Sequence, residues 1–237
     1  QAFDIREIAK PDCGPEEVLI EVEAFGLNYA EVMARNGLYQ AAPPLPCVLG
    51  YEVVGTIRET GARADRSHIG KRVVAFTRFG GYAQFATTHQ TAFAEIGTMD
   101  AGTACCIAVQ YATAWYMACE AQNLQPGDRV LVHAGAGGVG TALIQLCKLK
   151  GCYVYGSAGS DEKLSYMTRQ GADEVLNSQK TDYEQYLRQK GVKLDVTFNP
   201  IAGSTFKKDF RLLGSGGRLV LFGGSERSGK KFGLLST

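Results

Sequence analysis

A strand, a glycine-rich turn and a helix run together between Arg129 and Lys150, and this stretch constrains the rest of the chain. Val130, Leu131 and Val132 form a short apolar run after the turn signal Pro126-Gly127, which reads as a buried strand. Gly135, Gly137 and Gly140 then fall in G-x-G-x-x-G register, with Ala136, Gly138 and Val139 between them. From Val139 onward, Ala142, Leu143, Leu146 and Cys147 recur at helical spacing. Glycines set between a strand and a helix are what separate a dinucleotide fingerprint from a plain Gly-rich turn. The first glycine allows the tight turn, the second lets the backbone approach a pyrophosphate, and the third lets helix and strand pack closely. Backbone N–H groups at the helix N-terminus then face the phosphates, helped by the helix dipole.

Bulk properties remove several function classes. Lys and Arg total 25 against 24 Asp and Glu, a formal net charge of +1, so no nucleic-acid or acidic partner is indicated. No apolar run approaches the roughly 20 residues needed to span a bilayer, and the opening QAFDIREIAK has no basic and apolar leader pattern. Seven cysteines, an odd number without a C-x-x-C pair, read as reduced thiols in a cytoplasmic protein.

The remainder divides in two. Residues 1–97 carry short alternating strands at Glu17–Ala24, Tyr51–Ile57, Lys71–Phe76 and Tyr82–Thr87, with one helix over Tyr29–Asn36 stopped by Gly37. That spacing predicts a compact antiparallel barrel or sandwich. Residues 98–237 open with an Ala-rich stretch of one or two helices, and after the fingerprint strands and helices alternate. Strands are expected at Tyr153–Ser157, Glu174–Leu176, Leu194–Phe198 and Arg218–Phe222. Ser160, Thr181 and Ser204 can cap the intervening helices. Alternation of this kind predicts an α/β doubly wound parallel sheet of order 3-2-1-4-5, with ligand at the strand C-terminal ends. The tail SGKKFGLLST is too short to add the sixth strand of such a fold, so the chain reads as lacking its C-terminal part.

The second strand speaks to the cofactor. An NAD site places Asp or Glu at its end, about 20 residues past the first glycine. Here Tyr155-Gly156-Ser157 leads to Ser160, with no carboxylate before Asp161 and with Lys163 following. Hydroxyls and a cation suit a 2′-phosphate, which a carboxylate would repel, and so predict NADPH. The plainer alternative makes Ser157 and Ser160 turn and cap residues and Lys163 a solvated charge.

The segments HAGAGGVGTALIQLCK and GSAGSDEKLSYMTRQGADEVLN resemble the medium-chain dehydrogenase/reductase superfamily. GLNYAEVMARNGLY, PPLPCVLGYEVVGTI and GGRLVLFGG are similar to its zinc-free quinone oxidoreductase branch, and within it to the subgroup around the synaptic-vesicle membrane protein VAT-1. The resemblance covers essentially the whole chain. It implies a GroES-like β-barrel catalytic domain beside a Rossmann domain, NADPH as cofactor, and a small quinone or enone as substrate. It leaves the oligomeric state open, because the edge strand through which a homodimer of this family would pair is missing.

Zinc members of the superfamily carry Cys two residues after the glycine matching Gly26, and His directly after the glycine matching Gly50. This chain has Asn28 and Tyr51, so no metal ligands are expected there. By resemblance Asn28 and Tyr51 line the catalytic cleft. Thr113 looks like the threonine that approaches the nicotinamide, and Asn199, Phe222 and Gly223 follow strands at the cofactor face. The plainer alternatives are a cap for Asn28, helix interior for Thr113, a turn former for Asn199 and core for Phe222. The resemblance also leaves a second function class: an NADPH-binding regulatory or membrane-associated protein with little catalytic activity.

Overall fold

Alternating apolar residues in the first hundred positions build an antiparallel sheet in the computed structural model, which describes residues 4–227. The tail from Ser228 lies outside the described residues. Strand β1 (Glu17–Phe25) lies between β4 (Phe85–His89) and β2 (Glu52–Thr60); β3 (Arg72–Phe76) and β5 (Phe93–Glu95) complete the order β4-β1-β2-β3-β5. Val18, Ile20, Val53, Ile57, Val73, Ala75 and Ala86 form the core on one face. On the other, Val54 and Val74 pack with Ala104 and Cys105 of helix α2 (Ala101–Cys106). β2 is thus covered on both faces, and Glu52 to Gly55 are all buried. Helix α1 (Tyr29–Arg35) begins at the cap residue Asn28 and ends before Gly37, whose φ of +69° suits a residue without Cβ.

The helical stretch from Ala101 to Glu120 is not uniform. Ile107–Tyr111 and Tyr116–Glu120 are π-helical turns, with α3 (Ala112–Trp115) between them. The chain divides within this stretch, into compact units Gln1–Val109 and Gln110–Thr237. Among the described residues no helix is long and apolar enough to cross a membrane.

The second unit is the expected parallel sheet. β6 (Arg129–Val132), β7 (Tyr153–Ala158), β8 (Glu174–Asn177), β9 (Leu194–Asn199) and β10 (Leu213–Leu221) are ordered β10-β9-β6-β7-β8. Counted from β6, this is order 3-2-1-4-5. Helices α4 (Gly138–Leu149), α5 (Asp161–Arg169), α6 (Tyr183–Gln189) and α7 (Ser204–Leu212) alternate with the strands. Val130, Val132, Val154, Val196 and Phe198 meet Leu143, Ile144 and Cys147 of α4 in one core. Two caps differ from expectation. Asp182 caps α6, accepting from the N–H groups of Glu184 and Gln185, and Thr181 does not. Ser204 is the first residue of α7 rather than its cap: Gly203 holds that position, and Glu226 accepts from the Ser204 N–H and hydroxyl.

Candidate cofactor and substrate sites

In the second unit, β6 delivers the chain to His133, and Ala134 turns it with a φ of +51°. The Gly137 N–H closes this turn on the Ala134 carbonyl at 2.9 Å. A Cβ on Gly140 would sit 2.3 Å from that same carbonyl oxygen, and one on Gly135 would sit 2.7 Å from Met167 Sδ. The first and third glycines are therefore required by packing, against α5 and against the turn itself. Gly138, outside the motif, makes room for Gln110: a Cβ there would meet Oε1 at 2.0 Å. Gly137 is the N-cap of α4 and offers no side-chain acceptor. The first N–H groups of a twelve-residue helix, at Gly138, Val139 and Gly140, are thus left for an anion. Ala136 and Val139 pack their side chains on the core beneath. This cradle fits a dinucleotide pyrophosphate. Thr113 is half-buried on α3, which packs against α4.

The neighbouring strand ends arrange the other expected residues unequally. β7 runs one residue further than expected, to Ala158, and alternation along a strand then turns Ser157 inward. Ser157 is 1% exposed, and its hydroxyl is 2.9 Å from His133 Nδ1. Its side chain is occupied inside the unit, whereas its carbonyl accepts the Gly135 N–H at 2.9 Å. Ser160 holds the N-cap position of α5 without making a cap hydrogen bond, and Lys163 is exposed on the first turn of that helix. Asp161, the one acid between them, turns away to Asn177 Nδ2 at 2.6 Å and to Lys180. These contacts hold its carboxyl below the usual range. Asn199 is fully buried: Oδ1 accepts from the Ile201 and Ala202 N–H groups at 2.8 and 2.9 Å, and Nδ2 donates to Thr205 and Asp209. The side chain is the turn former considered above. Phe222 packs half-buried on the core and donates its N–H to the Asn199 carbonyl at 3.1 Å. Gly223 follows, where a Cβ would sit 2.7 Å from the Pro200 oxygen.

Sequence reasoning missed the buried network behind these strand ends. Asp209 of α7 accepts from His133 Nε2 at 2.9 Å and Tyr183 at 2.7 Å on Oδ1, and from Asn199 on Oδ2. An acid in the stretch KKDFRL looks like a solvated helix charge, and nothing in its spacing marks it as buried.

In the first unit Asn28 and Tyr51 converge through two acids that were also missed. The Asn28 N–H donates to Glu31 Oε2 at 2.7 Å, and the Tyr51 N–H to Glu31 Oε1 at 2.9 Å. Asn28 Nδ2 donates to Glu52 Oε1 at 3.0 Å, and the Val109 N–H to Glu52 Oε2 at 2.9 Å. Glu31 is 3% exposed and Glu52 fully buried. Burial pushes the Glu52 carboxyl up to about 7 against the pull of its two N–H donors. The Tyr51 ring stacks on Phe76 and packs against Phe79 and Tyr39. Its hydroxyl is buried and has no hydrogen-bond partner among the described residues. Burial, then the nearby Tyr39, hold this phenol well above the ordinary tyrosine range, so it stays a neutral donor.

A zinc ion does not fit here. Asn28 and Tyr51 supply neither thiolate nor imidazole, and among the described residues no group of three His, Cys, Asp or Glu side chains could hold a metal.

Comparison with known proteins matches both units in order. Residues 14–120 match the alcohol dehydrogenase GroES-like domain, and residues 138–235 match the zinc-binding dehydrogenase family. The chain is 34% identical to the human synaptic vesicle membrane protein VAT-1 homolog over 221 residues, covering 92% of this chain and 56% of that protein. It is 33% identical to human quinone oxidoreductase over 223 residues, covering 92% and 67%. The Escherichia coli quinone oxidoreductase complexed with NADPH superposes with a TM-score of 0.87 at 26% identity, covering 92% of this chain and 68% of that one. The chain spans from 10% to 67% of the length of such curated relatives. A GroES-like unit followed by a parallel sheet with this glycine turn, matched over nearly its whole length, places the chain in the medium-chain dehydrogenase/reductase superfamily.

Proposed function

We propose that this chain carries the machinery of an NADPH-dependent, zinc-free oxidoreductase that reduces quinones or related conjugated carbonyls. The observation that carries the reading is the uncapped N-terminus of α4 behind a turn whose first and third glycines cannot be replaced without a clash. The α4 N–H groups bind the pyrophosphate. Lys163 and the Ser160 hydroxyl meet the 2′-phosphate, at a strand end where Ala158 stands instead of a carboxylate. Thr113, Phe222 and Gly223 belong to the same cofactor surface in this proposal. Bound NADPH supplies a hydride. A quinone or enone that accepts it gathers negative charge on its carbonyl oxygen, and a proton completes the reduction. Tyr51, a buried phenol with no partner of its own, and Asn28, held between two acids, are the donors for that oxygen.

The test is steady-state oxidation of NADPH against a panel of quinones and enones. Loss of a preorganised donor typically lowers rate about 10²–10³-fold, and quinones need less help. Tyr51→Phe is therefore expected to reduce turnover several-fold to a hundredfold while the NADPH dissociation constant holds. Wild-type turnover in both Tyr51→Phe and Asn28→Ala would remove the donor role. No NADPH oxidation with any acceptor would favour a binding or regulatory protein, the reading suggested by the VAT-1 relative.

A further inference from the structure

We infer that Glu52 is a positioning residue for Asn28: its ionised carboxylate holds the Asn28 amide with nitrogen inward, and its protonation releases or turns that amide and so gates the reaction. The inference rests on the donor role proposed above for Asn28.

The argument begins with the strand. β2 is covered on both faces, so an acid at its start lies inside the protein, fully buried. Such a carboxylate persists only where its oxygens are satisfied. Oε1 takes the Asn28 amide and Oε2 the Val109 N–H. The chain also makes space for it: a Cβ on Gly26 would sit 1.9 Å from Oε1. An ionised carboxylate only accepts hydrogen bonds, which fixes the amide with Nδ2 toward Glu52. One Asn28 N–H is thereby held, and the second remains for a substrate oxygen.

Protonation reverses this. The new O–H needs an acceptor, yet both groups in contact with the carboxyl are donors. The Val109 N–H belongs to the backbone and cannot exchange roles. Asn28 must either offer Oδ1 or break contact, and in both cases its donor leaves the orientation set by the carboxylate. The other titratable groups near Glu52 do not take over. Glu31 on α1 is engaged by the Asn28 and Tyr51 N–H groups and by the Tyr82 hydroxyl. Burial holds the Cys105 and Cys106 thiols, on α2, and the Tyr82 phenol above their usual ranges. Tyr51, next along the chain, is likewise raised. Burial brings the Glu52 carboxyl to about 7, so the switch falls near neutral pH.

Two measurements test this. The first follows the Asn28 side-chain NH₂ pair by ¹H–¹⁵N NMR, assigned with Asn28→Ala, from pH 5.5 to 8.5. It is expected to titrate with a midpoint near 7 in the wild type and to stay constant in Glu52→Gln. The second is the pH profile of kcat/KM for quinone reduction. The wild type should fall about tenfold one unit below its midpoint, and Glu52→Gln should lose this limb while its NADPH dissociation constant is unchanged. A constant NH₂ pair in the wild type, or an unaltered limb in Glu52→Gln, overturns the inference. If Glu52→Gln does not fold, the wild-type NH₂ titration decides. Wild-type turnover in Asn28→Ala together with a titrating NH₂ pair would refute the donor role of Asn28 and leave its coupling to Glu52 standing.

Discussion

Replacing Asp209 by Asn is expected to destabilise the second unit by about 2–4 kcal/mol. Asp209 is fully buried and collects three donors: His133 Nε2 and the Tyr183 hydroxyl on Oδ1, and Asn199 Nδ2 on Oδ2. Asn offers one oxygen. With that oxygen toward His133 and Tyr183, its NH₂ opposes the NH₂ of Asn199. Asn199 cannot turn to help, because its Oδ1 already accepts from Ile201 and Ala202. One buried donor left unsatisfied costs about 1–3 kcal/mol, and two charge-assisted bonds become neutral ones, which are roughly half as strong. Trp115 is the one tryptophan of the chain and lies in this unit, so its fluorescence during urea unfolding reports on the right region. At a slope of about 1–3 kcal/mol per molar urea, the midpoint should fall by about 1 M or more with little change in slope. A loss below about 0.5 kcal/mol would show that the network is not holding the strand ends. Because the phosphate turn starts one residue after His133, NADPH affinity should fall with the stability.

Three further outcomes follow from the same geometry. Lys163→Ala should weaken NADPH about tenfold or more, the worth of one charge-assisted hydrogen bond, and leave NADH unchanged in a fluorescence titration; equal wild-type affinities for the two would refute the 2′-phosphate assignment. Gly140→Ala places a Cβ 2.3 Å from the Ala134 oxygen and should abolish NADPH binding in the same titration, so an affinity within twofold of wild type would contradict the packed turn. Glu52 is raised from 4.5 to about 7, so folding favours its protonated form. Its contribution to stability is full below about pH 4.5, falls as pH rises through 7 and is flat above. Urea unfolding of the wild type against Glu52→Gln should therefore show a difference that changes by about 3 kcal/mol across that window, and a constant difference would show that Glu52 does not titrate there.

The fingerprint, the strand order and the cap of α1 were legible because each rests on local spacing: glycines at fixed offsets, alternation of period two, and Asn before a helix that Gly37 ends. Ser157 shows where such reading fails. β7 is one residue longer than its turn signals suggest, and one residue reverses the facing of a side chain. Glu31, Glu52 and Asp209 were illegible for a different reason. An acid in a helix or at a strand start is normally solvated, and only long-range packing reveals that these three lie inside the protein with donors converging on them. Asn199 reads either as a ligand or as a turn former, and its four hydrogen bonds decide for the turn.

The π turns on either side of Thr113 are insertions kept in place. Each holds one residue more than an α turn, and the Ala121 N–H reaches five residues back, to Tyr116, at 2.8 Å. Deleting one residue from Tyr116–Glu120 would let the turn close with four-residue bonds. It would also rotate everything before the turn by about 100° relative to everything after it. Thr113 and Ala114 stand on one side, and the approach to β6 on the other. The count of residues in this helix is therefore constrained separately from their identity: a conservative substitution here should be tolerated where a single-codon deletion is not.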